Sequence, residues 1–178
     1  MTNIRSFREV YEEYKHLVYN LSLQYVHNSD DAQDITQEVF VKIYDHLHEH
    51  DGSLSSLKTW IYRITINHNL DFIKAKRTQK RFAFITSLFG QDESGNELDP
   101  GHFDHPGVLL EDKEELERLF SFIDRLPEKQ RTAIILMKIE DRSQKEAAEI
   151  MNITPKALES LIQRAKQSLS SMMERRKQ

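Results

Sequence analysis

The sequence predicts an all-α fold: two small helical domains joined by a flexible acidic linker, the C-terminal one containing a helix-turn-helix. Three observations carry this. Apolar residues recur at steps of three and four on both sides of a central break, which is the period of one helix face. The 178 residues include only 5 Gly and 4 Pro, too few for a turn-rich β fold. Four of those glycines and two of those prolines fall between Gly90 and Gly107, where no apolar period survives. Domains are therefore expected at 1–89 and 110–178, with 90–109 as the linker.

The first helix follows from Phe7, Val10, Tyr14, Leu17 or Val18, Leu21 and Tyr25. A second is expected to start near Asp30, with Gln33 completing a capping box, and to bury Ile35, Val39, Ile43 and Leu47. His50-Asp51-Gly52-Ser53 interrupts it. A third opens at Ser55 or Ser56 and carries Leu57, Trp60 or Ile61, Ile64, His68 and Phe72. It runs into a basic stretch, and Phe82, Phe84, Ile85, Leu88 and Phe89 suggest a short amphipathic continuation. Beyond the linker, a helix over about 110–124 turns Leu116, Leu119 or Phe120, and Ile123 inward. Leu126-Pro127 breaks it, and Pro127 suits the first turn of the next helix, which carries Ala133, Ile134, Met137 and Ile139.

The sharpest local signal spans residues 143–169. Ser143 and Glu146 form a capping box, and Ala147 and Ala148 allow a close helix crossing. Asn152 tolerates the left-handed conformation that ends a helix, and Ile153 can plug the turn. Thr154 and Pro155 then read as N-cap and first helical residue. Leu158, Leu161 or Ile162, Ala165 and Leu169 give the next helix a buried face. So tight a turn between two helices matches the DNA-reading motif, although a plain helical hairpin with a charged solvent face has the same spacing.

Charge is unevenly placed within a formal net charge of -4. Residues 74–81 hold five bases and no acid, residues 91–115 nine acids and one base, and residues 164–177 five bases and one acid. Two basic patches are thus divided by an acidic segment. The absence of cysteine excludes a disulfide scaffold, a zinc–cysteine site and a thiol nucleophile. No glycine-rich phosphate loop and no Ser/His/Asp arrangement is present, so no enzyme and no cofactor is expected. The cluster Asp45, His46, His48, Glu49, His50 and Asp51 is metal-capable in type, but it comes from one segment, and no metal is expected there. With no apolar leader and no long apolar run, a cytoplasmic protein without direct membrane insertion is expected.

Three stretches in order resemble one family. Asp31-Ala32-Gln33-Asp34-Ile35-Thr36-Gln37-Glu38-Val39-Phe40 looks like its second conserved helix. Leu57-Lys58-Thr59-Trp60-Ile61-Tyr62-Arg63-Ile64-Thr65-Ile66-Asn67 looks like its promoter-reading helix. Leu126-Pro127-Glu128-Lys129-Gln130-Arg131 looks like the opening of its C-terminal domain. The chain resembles the extracytoplasmic-function group of the sigma-70 family, the small initiation factors of bacterial RNA polymerase. That resemblance implies a region 2-like domain over 1–89, a region 4-like domain over 110–178, and a function in directing core polymerase to promoters and assisting their opening. The alternative is a self-sufficient helix-turn-helix regulator.

The resemblance also implies site residues. Core polymerase would be met by Asp31, Asp34, Gln37, Glu38, Phe40 and Lys42, although first-turn acids such as Asp31 and Asp34 are also favoured by the helix dipole. The opened strand near minus ten would be met by Lys58, Arg63, Asn67, Asn69, Lys74, Lys76 and Arg77, with a base captured by the loop His48 to Ser56. Trp60 could stack on a base, but its place on the apolar stripe favours the core. The duplex near minus thirty-five would be met by Thr154, Lys156, Glu159, Ser160, Gln163, Arg164 and Lys166, supported by Arg175, Arg176 and Lys177. Many members carry lysine and arginine where this chain has Glu159 and Leu161. The linker acids, Asp92 to Asp104, suit either nucleic-acid mimicry in a positive channel or a solubilising tether. Promoter DNA, core polymerase and an anti-sigma protein are the implied partners.

Overall fold

The computed structural model describes residues 6–50, 52, 54–89 and 110–175, and their regular structure is entirely helical. The expected linker and the tail residues Arg176 and Lys177 lie outside the described residues. The helices are α1 (Phe7–Val26), α2 (Ser29–His46), α3 (Leu57–Phe89), α4 (Leu110–Ile123), α5 (Glu128–Ile134), α6 (Gln144–Ile150) and α7 (Pro155–Glu174). A single 3₁₀ turn, Leu47–Glu49, follows α2, and a π turn, Ile135–Ile139, follows α5. Two compact units result. One gathers the described residues within Arg5–Asp45 and Ile64–Asp104, the other those within His46–Arg63 and His105–Gln178.

In the first unit, α1 opens on a capping box between Ser6 and Glu9 and closes on His27, whose φ of 55° is left-handed. The chain then has one residue before it must turn into α2, and Asn28 takes the capping role: its Oδ1 accepts from the Asp31 N–H at 2.8 Å. The expected cap at Asp30 is therefore wrong. Asp30 already lies inside the first turn, where its charge meets the helix dipole. Val10, Tyr14, Val18 and Leu21 of α1 and Ala32, Ile35, Val39 and Ile43 of α2 form the core, as their spacing predicts. On the part of α3 in this unit, from Ile64 onward, the buried positions are Thr65, Ile66 and Asn69, while Ile64, His68 and Phe72 are half-buried. The inward face is rotated from the expected one because two of its members are polar and invisible to an apolar period.

In the second unit, Phe120, Ile123 and Leu126 are buried and Leu119 is exposed. Pro127 is the N-cap of α5 rather than a residue of its first turn. Arg131 is the most consequential residue of this corner. Its side chain is 5% exposed, and its Nη2 meets Asp124 Oδ1 at 2.9 Å, fastening α5 to the end of α4. After Ile134 the backbone widens: the Glu140 N–H bonds the Ile135 carbonyl at 2.9 Å, five residues back. This extra residue per turn brings Ile135 and Leu136 inward beside Ala133 and Ile134, and leaves Met137 and Ile139 half-buried.

The helix-turn-helix forms as its sequence predicts. Ser143 and Glu146 cap α6 reciprocally, Asn152 adopts a φ of 53°, and the Ile153 N–H returns to the Ala148 carbonyl at 3.0 Å. Thr154 Oγ1 then accepts from the Ala157 N–H at 3.2 Å, with Pro155 as first residue of α7. Leu158 and Ala165 are the fully buried residues of α7. The Ser143 hydrogen bonds hold the Glu146 carboxyl below its ordinary range, so the box weakens as acid protonates it.

Two substitutions test this turn. Ser143→Ala should lower the unfolding free energy by about 1 kcal/mol. Asn152→Gly should be close to neutral, whereas Asn152→Val should cost about 1–2 kcal/mol, because only the valine resists the left-handed backbone. Urea titration followed by circular dichroism measures all three; equal values for glycine and valine would remove the backbone argument.

Candidate functional site

A stripe along α2 is the first candidate surface. Asp34, Gln37 and Glu38 are exposed, and so are Val41 and Tyr44, at 61% and 64%. Steps of three and four put them on one side of the helix. Val41 and Tyr44 lie off the buried stripe of Ile35, Val39 and Ile43, and that offset was the sequence signal for them; neither was singled out. Tyr44 stands edge-on to Phe7, with ring centroids 5.1 Å apart. Phe40, expected on this surface, is instead buried: its ring packs edge-on against Tyr11 at 4.8 Å and Phe7 at 6.3 Å. It lies one residue from Val39 on the inward side of α2, so burial claims it.

Three of the expected α2 residues reach α3. Asp31 forms an ion pair with Lys76. Glu38 Oε2 lies 2.7 Å from His68 Nε2, and Lys42 Nζ lies 2.7 Å from His68 Nδ1. Nδ1 can accept from the Lys42 ammonium, whereas Nε2 lies close to the Glu38 carboxylate without hydrogen-bond geometry. His68 thereby bridges an acid and a base of α2, a role the sequence reading gave only to core packing.

The second candidate surface lies on α3. Arg63, Asn67, Lys74, Arg77 and Arg81 follow one another at steps of four, seven, three and four, which keeps them on one helix face. Asn67, Lys74, Arg77 and Arg81 are exposed. Arg81 was not singled out, and the same period finds it. Asn69 cannot belong to this face. It lies two residues from Asn67, a rotation of roughly 200° at 3.6 residues per turn. It is fully buried, and its Nδ2 donates to Ser22 Oγ at 3.1 Å and to the Thr65 carbonyl at 2.8 Å. The expectation that Asn69 meets DNA is corrected accordingly. Lys58 is exposed, and Lys76 is held by Asp31.

The loop before α3 is anchored by aromatic packing. His50 stacks obliquely on Trp60, with ring centroids 5.1 Å apart, and its Nε2 lies 3.2 Å from the Ser55 carbonyl. Trp60 is half-buried in this packing. The loop leaves Leu54 at 93% exposure, and Gly52 adopts a φ of 77° with open space around its α-carbon. Nearby, Glu49 lies 3.1 Å from His46 Nδ1 and 3.9 Å from His48 Nε2, and no group of three or more side chains that could hold a metal ion occurs among the described residues.

The third surface is the outer side of α7. Lys156, Glu159, Gln163, Arg164 and Lys166 are exposed, opposite Leu158 and Ala165. Ser160 is half-buried and donates to the Lys156 carbonyl at 3.1 Å. Thr154 is exposed but spends its hydroxyl on the cap. The start of α7 is fixed to α6 through Gln144 Nε2, which donates to the Pro155 carbonyl at 3.2 Å. Such a helix can present amide and guanidinium donors to base edges or phosphates. No helix among the described residues is long and apolar enough to cross a membrane.

Known proteins match both ends of the chain. The family model for sigma-70 region 2 matches residues 10–79, and that for sigma-70 region 4 matches residues 116–169. The ECF RNA polymerase sigma factor SigM of Bacillus subtilis (strain 168) is 28% identical over 167 residues, covering 94% of each chain. The ECF RNA polymerase sigma-E factor of Escherichia coli (strain K12) is 29% identical over 171 residues, covering 96% of this chain and 87% of that protein. Two solved structures share the fold. CnrH in complex with the cytosolic domain of CnrY has a TM-score of 0.64 at 21% identity, covering 94% of this chain and 87% of that one. The sigma factor RpoE from Bartonella quintana, in complex with the anti-sigma factor NepR, has a TM-score of 0.63 at 20% identity, covering 94% and 96%.

Burial of Asn69 makes a distinct prediction. Asn69→Ala should destabilise the chain by about 1–3 kcal/mol, because Ser22 loses a buried partner. Asn67→Ala should leave stability within about 0.5 kcal/mol, as expected for an exposed helix position. Chemical denaturation of the two full-length variants separates them; equal stability would return Asn69 to the surface.

Proposed function

The chain belongs to the extracytoplasmic-function group of the sigma-70 family, and we propose that it directs bacterial core RNA polymerase to promoters with its tasks divided among these three surfaces. The α2 stripe of Asp34, Gln37 and Glu38, with Val41 and Tyr44, docks on core polymerase. The observation that carries this is an acidic row with exposed apolar side chains on a helix whose other face is fully committed to the core. Acids alone would be explained by solvation. An acidic row interleaved with a half-exposed tyrosine and valine suits a protein partner. Asp31 and Lys42 flank that surface and also tie α2 to α3.

Asn67, Lys74 and Arg77, with Arg81, face the opened strand near minus ten. One polar amide among cations on a single helix face combines a base-edge reader with backbone attraction. The loop ahead of α3, pinned by His50 on Trp60, is placed to receive an unstacked base, and Leu54 is its exposed apolar side chain. At the other end, Lys156, Gln163, Arg164 and Lys166 of α7 read the duplex near minus thirty-five, with Glu159 lowering the positive field among them. An anti-sigma protein is the proposed regulator.

Dependence on polymerase is the first test. In band shifts at matched salt, the chain alone should bind promoter duplex weakly, and its complex with core enzyme should bind and melt it. Reversing charge at Asp34 and Glu38 should impair assembly with core enzyme in pull-downs while leaving the circular dichroism spectrum unchanged. Tight sequence-specific binding by the chain alone would favour an ordinary helix-turn-helix regulator.

The duplex reader is tested on a library of minus-thirty-five variants joined to one fixed minus-ten element. Arg164→Ala should lower holoenzyme binding roughly tenfold and relax preference at one position if it contacts a base, an interaction worth about 1–3 kcal/mol. A phosphate contact would instead weaken binding uniformly and reduce the salt slope by about one. Glu159→Lys should strengthen and broaden binding. Unchanged preference and affinity in both variants would remove α7 as the reader.

A further inference from the structure

Glu38 and Lys42 stand one turn apart on α2, the spacing and order at which glutamate and lysine ordinarily pair with each other. Here the His68 ring of α3 lies against both. Its side chain is 11% exposed, whereas that of Glu38 is 63% exposed. The two ring nitrogens differ in what they do. Nδ1 takes the Lys42 ammonium at 2.7 Å, and it accepts only while it carries no hydrogen, so the hydrogen of the neutral ring sits on Nε2. Nε2 is buried 2.7 Å from Glu38 Oε2, yet among the described residues it has no hydrogen-bond partner. A proton added to this ring therefore changes its partners. Nδ1 becomes a donor and can no longer hold Lys42, and the ammonium is repelled at contact distance. The same charge attracts the Glu38 carboxylate at the other nitrogen, in a place too enclosed for full screening.

We propose that His68 is a positioning residue for polymerase docking. Neutral, it draws Lys42 toward α3 and leaves the Glu38 carboxylate to the partner; protonated, it releases Lys42 and engages Glu38. This rests on the docking reading of the α2 stripe and adds a regulation of it. A partner that fits an acidic row offers basic side chains, and protonation leaves two cations gathered at one of its acids. The groups against the ring are Glu38 and Lys42 of α2. Asp71 stands one turn along on α3 itself and is exposed, and Asp34 stands one turn before Glu38. The neighbouring contact with α1, between Ser22 and Asn69, is uncharged. Imidazole changes charge within the range of about pH 5 to 8. Docking is therefore strongest where His68 is neutral and weakens as pH falls through its titration.

The test measures binding of the full-length chain to immobilised core polymerase at fixed ionic strength, from about pH 8 to about pH 6. His68→Gln is measured beside the parent at every pH, so that titration of the polymerase cancels in the ratio. The parent should lose affinity toward acid roughly three- to tenfold more than His68→Gln does, the effect of two partly screened charges. Lys42→Ala should give a shallower profile than the parent, because it has no ammonium to release, and it serves as the test if circular dichroism shows His68→Gln unfolded. Long-range proton–nitrogen spectra of the free chain should place the hydrogen of the neutral His68 ring on Nε2. A hydrogen on Nδ1, or profiles of His68→Gln and Lys42→Ala that run parallel to the parent's, would overturn the proposal and leave the docking stripe standing. A chain with Asp34→Asn and Glu38→Gln that binds core polymerase like the parent at the alkaline end would remove the docking reading, and the proposal with it.

Discussion

The amide of Asn69 sets the register on which the exposed polar face of α3 depends. Its two donors reach Ser22 of α1 and the Thr65 carbonyl one turn back, inside the core. A buried amide without partners costs more than it contributes when paired, so sliding or rotating α3 against α1 is disfavoured beyond the loss of packing. Apolar contacts alone would tolerate several rotations of a helix carrying Ile61, Ile64 and Ile66. Pinning Asn69 inward leaves Asn67, Lys74 and Arg77 outward, because the helical period permits nothing else. The side chain expected to meet DNA instead fixes which residues of α3 face outward.

The helix-turn-helix depends on a comparable set of local commitments. The end of α6 and the start of α7 are fixed by Asn152 in its left-handed conformation, the Thr154 cap and Pro155, all within four residues. Upstream, the Arg131–Asp124 pair and the π turn place α5 so that Ile135 and Leu136 fill the space beneath. An ion pair this buried is weak evidence for stability. Arg131 is the buried member and Asp124 is a third exposed, so removing Asp124 would weaken the pairing of a buried charge, and the pair specifies how α4 meets α5.

What the sequence made legible follows from what periodicity can detect. Helix number and the core of α1 and α2 were readable, because Val10, Tyr14, Val18, Ile35, Val39 and Ile43 keep an unbroken apolar period. The turn into α7 was readable because each of its residues has a strong backbone preference. The inward face of α3 was not, since Thr65 and Asn69 are polar and buried only by virtue of specific partners. The cap of α2 is Asn28 and not the expected Asp30 because Asn28, Ser29 and Asp30 are all capping residue types, and geometry rather than residue type decides. The π turn left no mark in composition. Phe40 was assigned to a surface by family position, while its neighbour Val39 already pointed to the core side of the helix.

Charge in this chain is best understood as competition. Surface ion pairs such as Lys76 with Asp31 contribute little to folding, typically about 0–1 kcal/mol. Their larger effect is to lower the positive potential offered to nucleic acid, because each paired base releases fewer counterions when it meets a phosphate. Lys76 is answered by Asp31, Arg63 by the carbonyls that end α6, and the outer side of α7 carries Glu159 among its bases. A sigma factor that bound duplex tightly by itself would occupy promoters without polymerase. The acids placed beside this chain's own bases oppose such binding, and on the exposed stripe of α2 Glu38 is itself met by His68.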